Sequence, residues 1–252
     1  RIRGNLIGTD RSGTVSLGNG IGVLITQPHP RCIASLDVLD NVIAGSTGDG
    51  LRIASASPPL LPDTCTVQAP VPMVIQGNLI GVGLAETPLA NGGAALRVSN
   101  VVARPPGFGA AGEGATLVGS STSPALENTF FHANVGTIVI DGEATRFPIS
   151  GNRTLSNQQL IDLGGDGTTF NDPGDADVGP NTLLNTPVPD AAVVDLSAGG
   201  VRVNYSLDAS FAGGDGASVH VYRFGDEQRL VAVDRSVQAG SNNIDLRLGG
   251  GL

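Results

Sequence analysis

Ile2-Arg3-Gly4-Asn5-Leu6-Ile7-Gly8 returns as Ile75-Gln76-Gly77-Asn78-Leu79-Ile80-Gly81, 73 residues further on. A second landmark follows each copy: Leu17-Gly18-Asn19-Gly20 in the first and Leu89-Ala90-Asn91-Gly92 in the second. These lie 72 residues apart, so one residue is lost between the landmarks. A short aliphatic run comes next in both, Gly22-Val23-Leu24-Ile25 and Ala95-Leu96-Arg97-Val98. Between them sits a third copy, Asn41-Val42-Ile43-Ala44-Gly45, leading to Gly50-Leu51-Arg52-Ile53. Weaker copies begin at Asn128-Thr129-Phe130 and Asn152-Arg153-Thr154. Successive repeated Asn residues are spaced by 36, 37, 50 and 24 residues. Self-similarity with a period of tens of residues is the mark of stacked supersecondary units. The shortest spacing suits one coil of three short strands, and the longer ones suit the same coil with a loop inserted.

No segment carries sustained helical periodicity. Apolar residues alternate in short runs bounded by Gly, Asn, Asp, Ser and Pro, which is the strand-and-turn pattern. The 37 Gly and 16 Pro break up any long helix. In a coil of this kind alternate residues point inward. That places Ile7, Val23, Ile25, Ile43, Leu51, Ile53, Ile80, Leu96, Val98, Phe130, Ile138 and Ile140 in the interior. Coils that stack through main-chain hydrogen bonds sit about 4.7–4.9 Å apart. Asn5, Asn41, Asn78, Asn128 and Asn152 then fall one above another. Stacked amides satisfy one another along the axis, and a buried amide is tolerated only when it is paired. The alternative is that these Asn residues merely initiate turns.

Three motifs, Gly4-Asn5-Leu6-Ile7-Gly8-Thr9-Asp10, Leu17-Gly18-Asn19-Gly20 and Asn41-Val42-Ile43-Ala44-Gly45, resemble those of bacterial right-handed parallel β-helix repeat proteins of the secreted, pectate-lyase-like superfamily. A later stretch is similar in a more specific way: Ile161-Asp162-Leu163-Gly164-Gly165-Asp166-Gly167, then Asn171-Asp172-Pro173-Gly174-Asp175-Ala176-Asp177-Val178-Gly179-Pro180-Asn181. In that family such a segment follows the last coil and leads into a β-sandwich. The expected fold is therefore all-β: a right-handed parallel β-helix over 1–186, then a partial antiparallel, immunoglobulin-like β-sandwich over 187–252. The resemblance implies a secreted or surface-anchored, often very large protein. It selects no activity, because this fold carries lyases, hydrolases, epimerases, adhesins and passive stalks alike.

Composition narrows the partners. The chain has 252 residues, a net charge of −9 and fourteen basic residues, all of them Arg. An acidic chain with scattered Arg argues against nucleic acid or an anionic membrane surface. No apolar run approaches the ~20 residues of a membrane span, so no membrane insertion is expected. Arg1 stands mid-repeat and Gly249-Gly250-Gly251-Leu252 has the look of a cut end, so both are expected to be fragment boundaries.

After Pro187 and Pro189 the pattern lengthens. Strands are expected over 191–196, 201–207, 218–224, 230–234 and 243–248. Val201, Val203, Tyr205 and Leu207 would share one face of the second of them. Turn signals at Ala198-Gly199-Gly200 and Gly213-Gly214-Asp215-Gly216 separate neighbours. Strands at this spacing suggest an antiparallel sandwich.

The candidate sites are few. Asp166, Asn171, Asp172, Asp175, Asp177 and Asn181 cluster on a Gly-rich turn, the kind of oxygen-rich segment that calcium requires. Their spacing matches neither an EF-hand nor a calcium β-roll, and a solvated acidic linker is the alternative. Asp162 lies between inward Ile161 and Leu163 and is expected to face outward. No motif requires a cofactor; calcium is the one ion this segment suits. Cys32 and Cys65 follow comparable strands, 23–25 and 51–53. If those strands stack, a disulfide is geometrically reasonable and would contribute on the order of 3–4 kcal/mol by loop closure. Two unrelated thiols are the alternative. His29, His132 and His220 show no convergence on a metal or a triad. Gly107-Phe108-Gly109-Ala110-Ala111-Gly112 has the letters of a dinucleotide fingerprint but follows Pro105-Pro106 rather than a strand.

A carbohydrate-active groove would need paired carboxylates, or a base with Arg to hold uronates. Asp49, Glu127 and Asp141 are outward acids, but the chain has no Trp and two Tyr for stacking on sugars. The expected function is structural or adhesin-like, at the bacterial cell surface or outside the cell, with polysaccharide or surface components as partners. A polysaccharide lyase or glycoside hydrolase of β-helix type is the first alternative, and a calcium-stabilised spacer the second.

Overall fold

The computed structural model describes residues 1–26, 36–55, 72–101, 103, 116–131, 136–145, 147–155, 160–195, 200–209, 218–223, 225 and 228–247. Cys32, Cys65, His29, His132 and the 107–112 glycine-rich stretch lie outside the described residues.

The first coil contributes β1 (Ile2–Arg3), β2 (Leu6–Ile7) and β3 (Val23–Thr26). The second contributes β4 (Leu36–Leu39), β5 (Val42–Ile43) and β6 (Leu51–Ala54). The third has β7 (Met73–Gln76), β8 (Leu79–Ile80) and β9 (Leu96–Ser99). The fourth has β10 (Leu117–Val118), β11 (Thr129–Phe130) and β12 (Ile138–Asp141). The fifth has β13 (Arg153–Thr154) and β14 (Ile161–Leu163). Strands from equivalent places in successive coils form three sheets, β1-β4-β7-β10, β2-β5-β8-β11-β13 and β3-β6-β9-β12-β14. The neighbours in each sheet are parallel. In the first sheet the fifth coil is reduced to a single parallel bridge, Val118 to Ile149. This is a parallel β-helix of five coils.

The corner between the first and second sheets explains the repeated Gly-Asn pair. Gly4, Gly77 and Gly151 have φ of 68°, 68° and 60°, and Asp40 takes the same place in the second coil at 55°. A left-handed residue turns the chain sharply, and glycine does so at no steric cost. The Asn that follows is carried round into the interior.

Register makes the core. Ile7, Ile43, Ile80 and Phe130 stack in one column, as do Val23, Leu51, Leu96 and Ile138 in another. Ile25, Ile53, Val98 and Ile140 form a third. All twelve residues expected inside belong to one continuous core, with Ile7 and Ile25 in the first coil only partly buried. A slip of one residue would turn each strand inside out, so the alternation fixes the stacking.

A second compact unit comprises Phe170–Val178, Leu183–Arg223 and Leu230–Leu252; the first comprises Arg1–Thr169 with Gly179–Thr182 and Phe224–Arg229. In the second unit β15 (Val188–Asp195), β16 (Gly200–Leu207) and β19 (Gly240–Arg247) form an antiparallel sheet with β16 at the centre. β17 (Val219–Arg223) and β18 (Arg229–Asp234) pair separately. The first strand starts earlier than the sequence pattern suggests, at Val188, because a bulge between Pro189 and Ala191 accommodates the proline. Among the described residues the core of this unit is Tyr205, Leu207, Ala209 and Val219, flanked by Val237 and Ile244. No helix among the described residues is long and apolar enough to cross a membrane.

Candidate functional sites

Three polar assemblies stand out from this scaffold. The first is inside it. Asn41, Asn78, Asn128 and Asn152 are buried, while Asn5 is exposed at the first coil. Each side-chain amide reaches the carbonyl of the next: Asn5 Nδ2 to Asn41 Oδ1 at 2.9 Å, Asn41 to Asn78 at 3.0 Å, Asn78 to Asn128 at 2.9 Å, Asn128 to Asn152 at 2.9 Å. The same Oδ1 atoms also accept main-chain N–H groups, from Asn5 at 3.0 Å, Asn41 at 3.0 Å and Asn78 at 3.1 Å. Each buried Nδ2 also donates to a corner carbonyl, those of Ile2, Val38, Ile75 and Val118. The four buried rungs are satisfied within the column and its corner carbonyls.

A second assembly lies on the outward face of the third sheet. Its register lines up Leu24, Arg52, Arg97, Val139 and Asp162. Arg97 bridges two coils, donating from Nε to Asp49 Oδ2 at 3.1 Å and from a terminal nitrogen to Asp141 Oδ2 at 2.7 Å. Asp49 Oδ1 also accepts the Ala94 N–H at 2.9 Å, and Arg52 Nε stands 3.7 Å from Asp49 Oδ2, the oxygen that Arg97 uses. Two of the outward acids in the sequence are thus joined by one guanidinium. The signal for Arg97 was its polar place between inward Leu96 and Val98. Asp162 does face outward, yet it is buried under its own turn, with Oδ1 accepting the N–H groups of Gly165 (3.1 Å) and Gly167 (3.3 Å).

The third assembly is the acidic loop of the second unit. Asp172, Asp175 and Asp177 each offer a carboxylate oxygen, and these lie within 4.8 Å of one another. The loop is held by side chains bonding to backbone. Asp172 Oδ2 accepts the Ala176 N–H at 3.0 Å, and Asp175 Oδ1 accepts that of Asn185 at 2.7 Å. Asn185 closes the turn, accepting from Asp172 N–H at 2.9 Å and donating to the carbonyls of Asp172 (2.7 Å) and Asp208. Gly174 N–H donates to Asp208 Oδ2 at 3.0 Å. Asp172 Oδ1 and Asp177 Oδ1 are solvent-excluded and accept no hydrogen bond among the described residues. Burial, then the neighbouring Asp172 and Asp175 charges, push the Asp177 carboxyl above the ordinary carboxylate range.

The other expected calcium ligands are placed differently. Asn171 clasps Thr186, accepting its N–H at 2.8 Å and donating to its carbonyl at 2.7 Å. Asn181 does the same to Phe147, at 2.9 Å and 3.1 Å. Both amides are occupied in tying chain segments together. Asp166 is exposed on the Gly164–Gly167 turn and is not among the converging carboxylates. Asn185 and Asp208 carry no local sequence signal, being brought in by the turn from separate stretches.

A hard cation fits the chemistry of the loop: three carboxylates converge, and two of their oxygens are buried without a donor among the described residues. His220 lies in β17, where its Nε2 is 3.1 Å from Ser218 Oγ. Burial, then the charge of Arg235, lowers its pKa. No family model, curated protein or solved structure matches the chain.

Proposed function

We propose that this chain is a structural, adhesin-like β-helix of a bacterial extracellular or cell-surface protein, and that its described coils display loops rather than carry out catalysis. The observation that supports this reading best is that the Asn column and the Arg97 cluster, the two prominent polar assemblies of the coils, are bonded within themselves. The inward Asn column is bonded rung to rung, and the outward acids Asp49 and Asp141 are both engaged by Arg97. A general acid or base needs a proton-accepting atom free to face substrate, and carboxylates neutralised by a shared guanidinium are poor candidates. A net charge of −9 makes nucleic acid an unsuitable partner. Polysaccharides or surface components remain the fitting partner class. The test is a panel of uronate and neutral polysaccharides, scored for binding and for turnover. Binding without unsaturated or reducing ends supports the reading. Turnover that is lost on Arg97→Gln replaces it with the lyase or hydrolase alternative.

A second reading rests on the acidic loop. Asp172, Asp175 and Asp177 would hold Ca²⁺ and so brace the segment that opens the second unit. A cation that binds only the folded state raises stability in proportion to its occupancy. Thermal melts with Ca²⁺ and with chelator decide it: a reversible rise in Tm supports the site, and identical melts remove calcium from the account.

A further inference from the structure

One peptide bond of the acidic loop differs chemically from the rest. Asp172-Pro173 is the one Asp-Pro pair in the sequence. A proline nitrogen carries no hydrogen, so this bond is a tertiary amide, and its nitrogen is more basic than that of an ordinary peptide. An aspartate side chain reaches its own main-chain carbonyl carbon through a five-membered ring. Nucleophile and leaving group of an acyl transfer therefore stand in two adjacent residues, and the surrounding structure decides whether they react.

The loop supplies what such a transfer needs. In the turn Asp172-Pro173-Gly174-Asp175, proline holds the second place and Gly174, at φ 75°, the third, as in a type II turn. The turn brings the Asp175 N–H back to the Asp172 carbonyl oxygen at 3.4 Å. Asn185 Nδ2 donates to that same oxygen at 2.7 Å, and Asn185 Oδ1 holds the Asp172 N–H at 2.9 Å. Two donors thus converge on the one oxygen that gains charge in a tetrahedral intermediate, which is the task of an oxyanion hole. On the side chain, Oδ2 is pinned by the Ala176 N–H at 3.0 Å. Oδ1 is solvent-excluded and accepts no hydrogen bond among the described residues. A carboxylate oxygen without donors is the more reactive nucleophile. Pro173 and Gly174 are exposed, so water reaches the leaving nitrogen.

We propose that this loop cleaves its own chain between Asp172 and Pro173, with the Asp172 carboxylate as nucleophile and Asn185 Nδ2 and the Asp175 N–H as oxyanion donors. Asp172 Oδ1 bonds to the Asp172 carbonyl carbon, the carbon–nitrogen bond to Pro173 breaks, and the nitrogen takes a proton from water. A cyclic anhydride, a free Pro173 amine and hydroxide result. Hydroxide then opens the anhydride to a carboxylate and a carboxylic acid, so the net change is one water added across one peptide bond. In the sequence the cut falls between β14 and β15. It gives a displayed stack of coils a built-in point of covalent separation from the strands that follow. The side chains of Asp175 and Asp177 take no part, and the step is independent of any cation.

The test follows the purified full chain at neutral pH by intact mass and N-terminal sequencing. Chelator is present throughout, so that no cation occupies Asp172. The expected products are residues 1–172 and 173–252, the second starting Pro173-Gly174-Asp175, formed at a rate independent of protein concentration. Asp172→Ala should abolish the cut. Asn185→Ala should slow it roughly 100-fold, the loss typical of one oxyanion donor. Pro173→Ala keeps the nucleophile and both donors and should also slow it, because an ordinary amide leaves less readily. Amide exchange in β16 shows that each variant remains folded. The parent in urea should be cut at least roughly ten-fold more slowly, since the donors are then dispersed. A parent that stays intact would overturn the proposal. So would a cut that is as fast in urea or in folded Asn185→Ala, or one that persists in Asp172→Ala.

Discussion

The coil stack and the sheet of the second unit use β-structure in opposite ways. In the stack, strands as short as two residues are held because each is one rung of a column that continues above and below. Its interior contains Phe130, Met73 and a series of Ile and Leu side chains with almost no exposure. In the second unit, β15, β16 and β19 are eight residues long each and pair by local antiparallel register, and the buried core among the described residues is Tyr205, Leu207, Ala209 and Val219. Short strands with a deep core depend on the repeat; long strands with a thin core depend on their own pairing and on a few polar contacts. Stability in the first should therefore be cooperative along the axis, and in the second local.

Truncation of a core side chain gives the sharpest contrast. Phe130→Ala should cost about 3–5 kcal/mol by cavity formation, and should lower the unfolding midpoint of the whole stack in denaturant melts. Next comes the Asn column. Asn78→Leu removes the acceptor shared by Asn41 N–H and Nδ2, both buried. Stranding those donors should cost roughly 3 kcal/mol. Asn5→Leu should cost under about 1 kcal/mol, because Asn5 is exposed and its Oδ1 serves no donor among the described residues. Equal effects at the two positions would break the claim that the column is directional.

The second unit is tested at Tyr205, whose hydroxyl donates to Asp234 Oδ2 at 2.6 Å. Tyr205→Phe should lose about 1.5–3 kcal/mol, the range for a hydrogen bond to a charged group, and should leave the stack's midpoint unchanged. Burial, then the bond to Asp234 and its charge, raise the Tyr205 pKa above the ordinary value near 10. The folded state therefore holds this proton where the unfolded chain releases it. Its contribution is complete below about pH 10 and is lost as pH rises above that value. Alkaline melts of the parent should show this loss in the second unit, and Tyr205→Phe should not. The smallest expected effect is at Asp177. Without a cation, Asp177→Asn should raise Tm slightly, by relieving repulsion with Asp172 and Asp175; with Ca²⁺ it should abolish the calcium response.

The stack was legible in the sequence for a physical reason. A coil repeats its contacts, so each Gly-Asn corner and each aliphatic alternation is written several times, and the interior from Ile43 to Ile140 can be read from period two alone. The acidic loop was legible only in part. Asp172, Asp175 and Asp177 are neighbours in sequence and meet because the turn is tight. Asn171 and Asn181 look like the same kind of ligand, but an amide both donates and accepts, and each is used to clasp a main-chain segment. Asn185 and Asp208 escaped notice because nothing local marks a side chain that closes a turn made elsewhere. The Arg97 bridge needed register: Asp49 and Asp141 are 48 and 44 residues from it, and only the stacking of β6, β9 and β12 brings them together.

Hydrogen exchange of the full chain, read residue by residue, tests the cooperative stack most directly. The amides of Leu79, Gly81, Thr129 and Phe131 should form the slowest set and exchange at a common rate, with those of β16 clearly faster. Exchange of those four at unrelated rates, or no slower than β16, would contradict the account of the coils as a single zipped column.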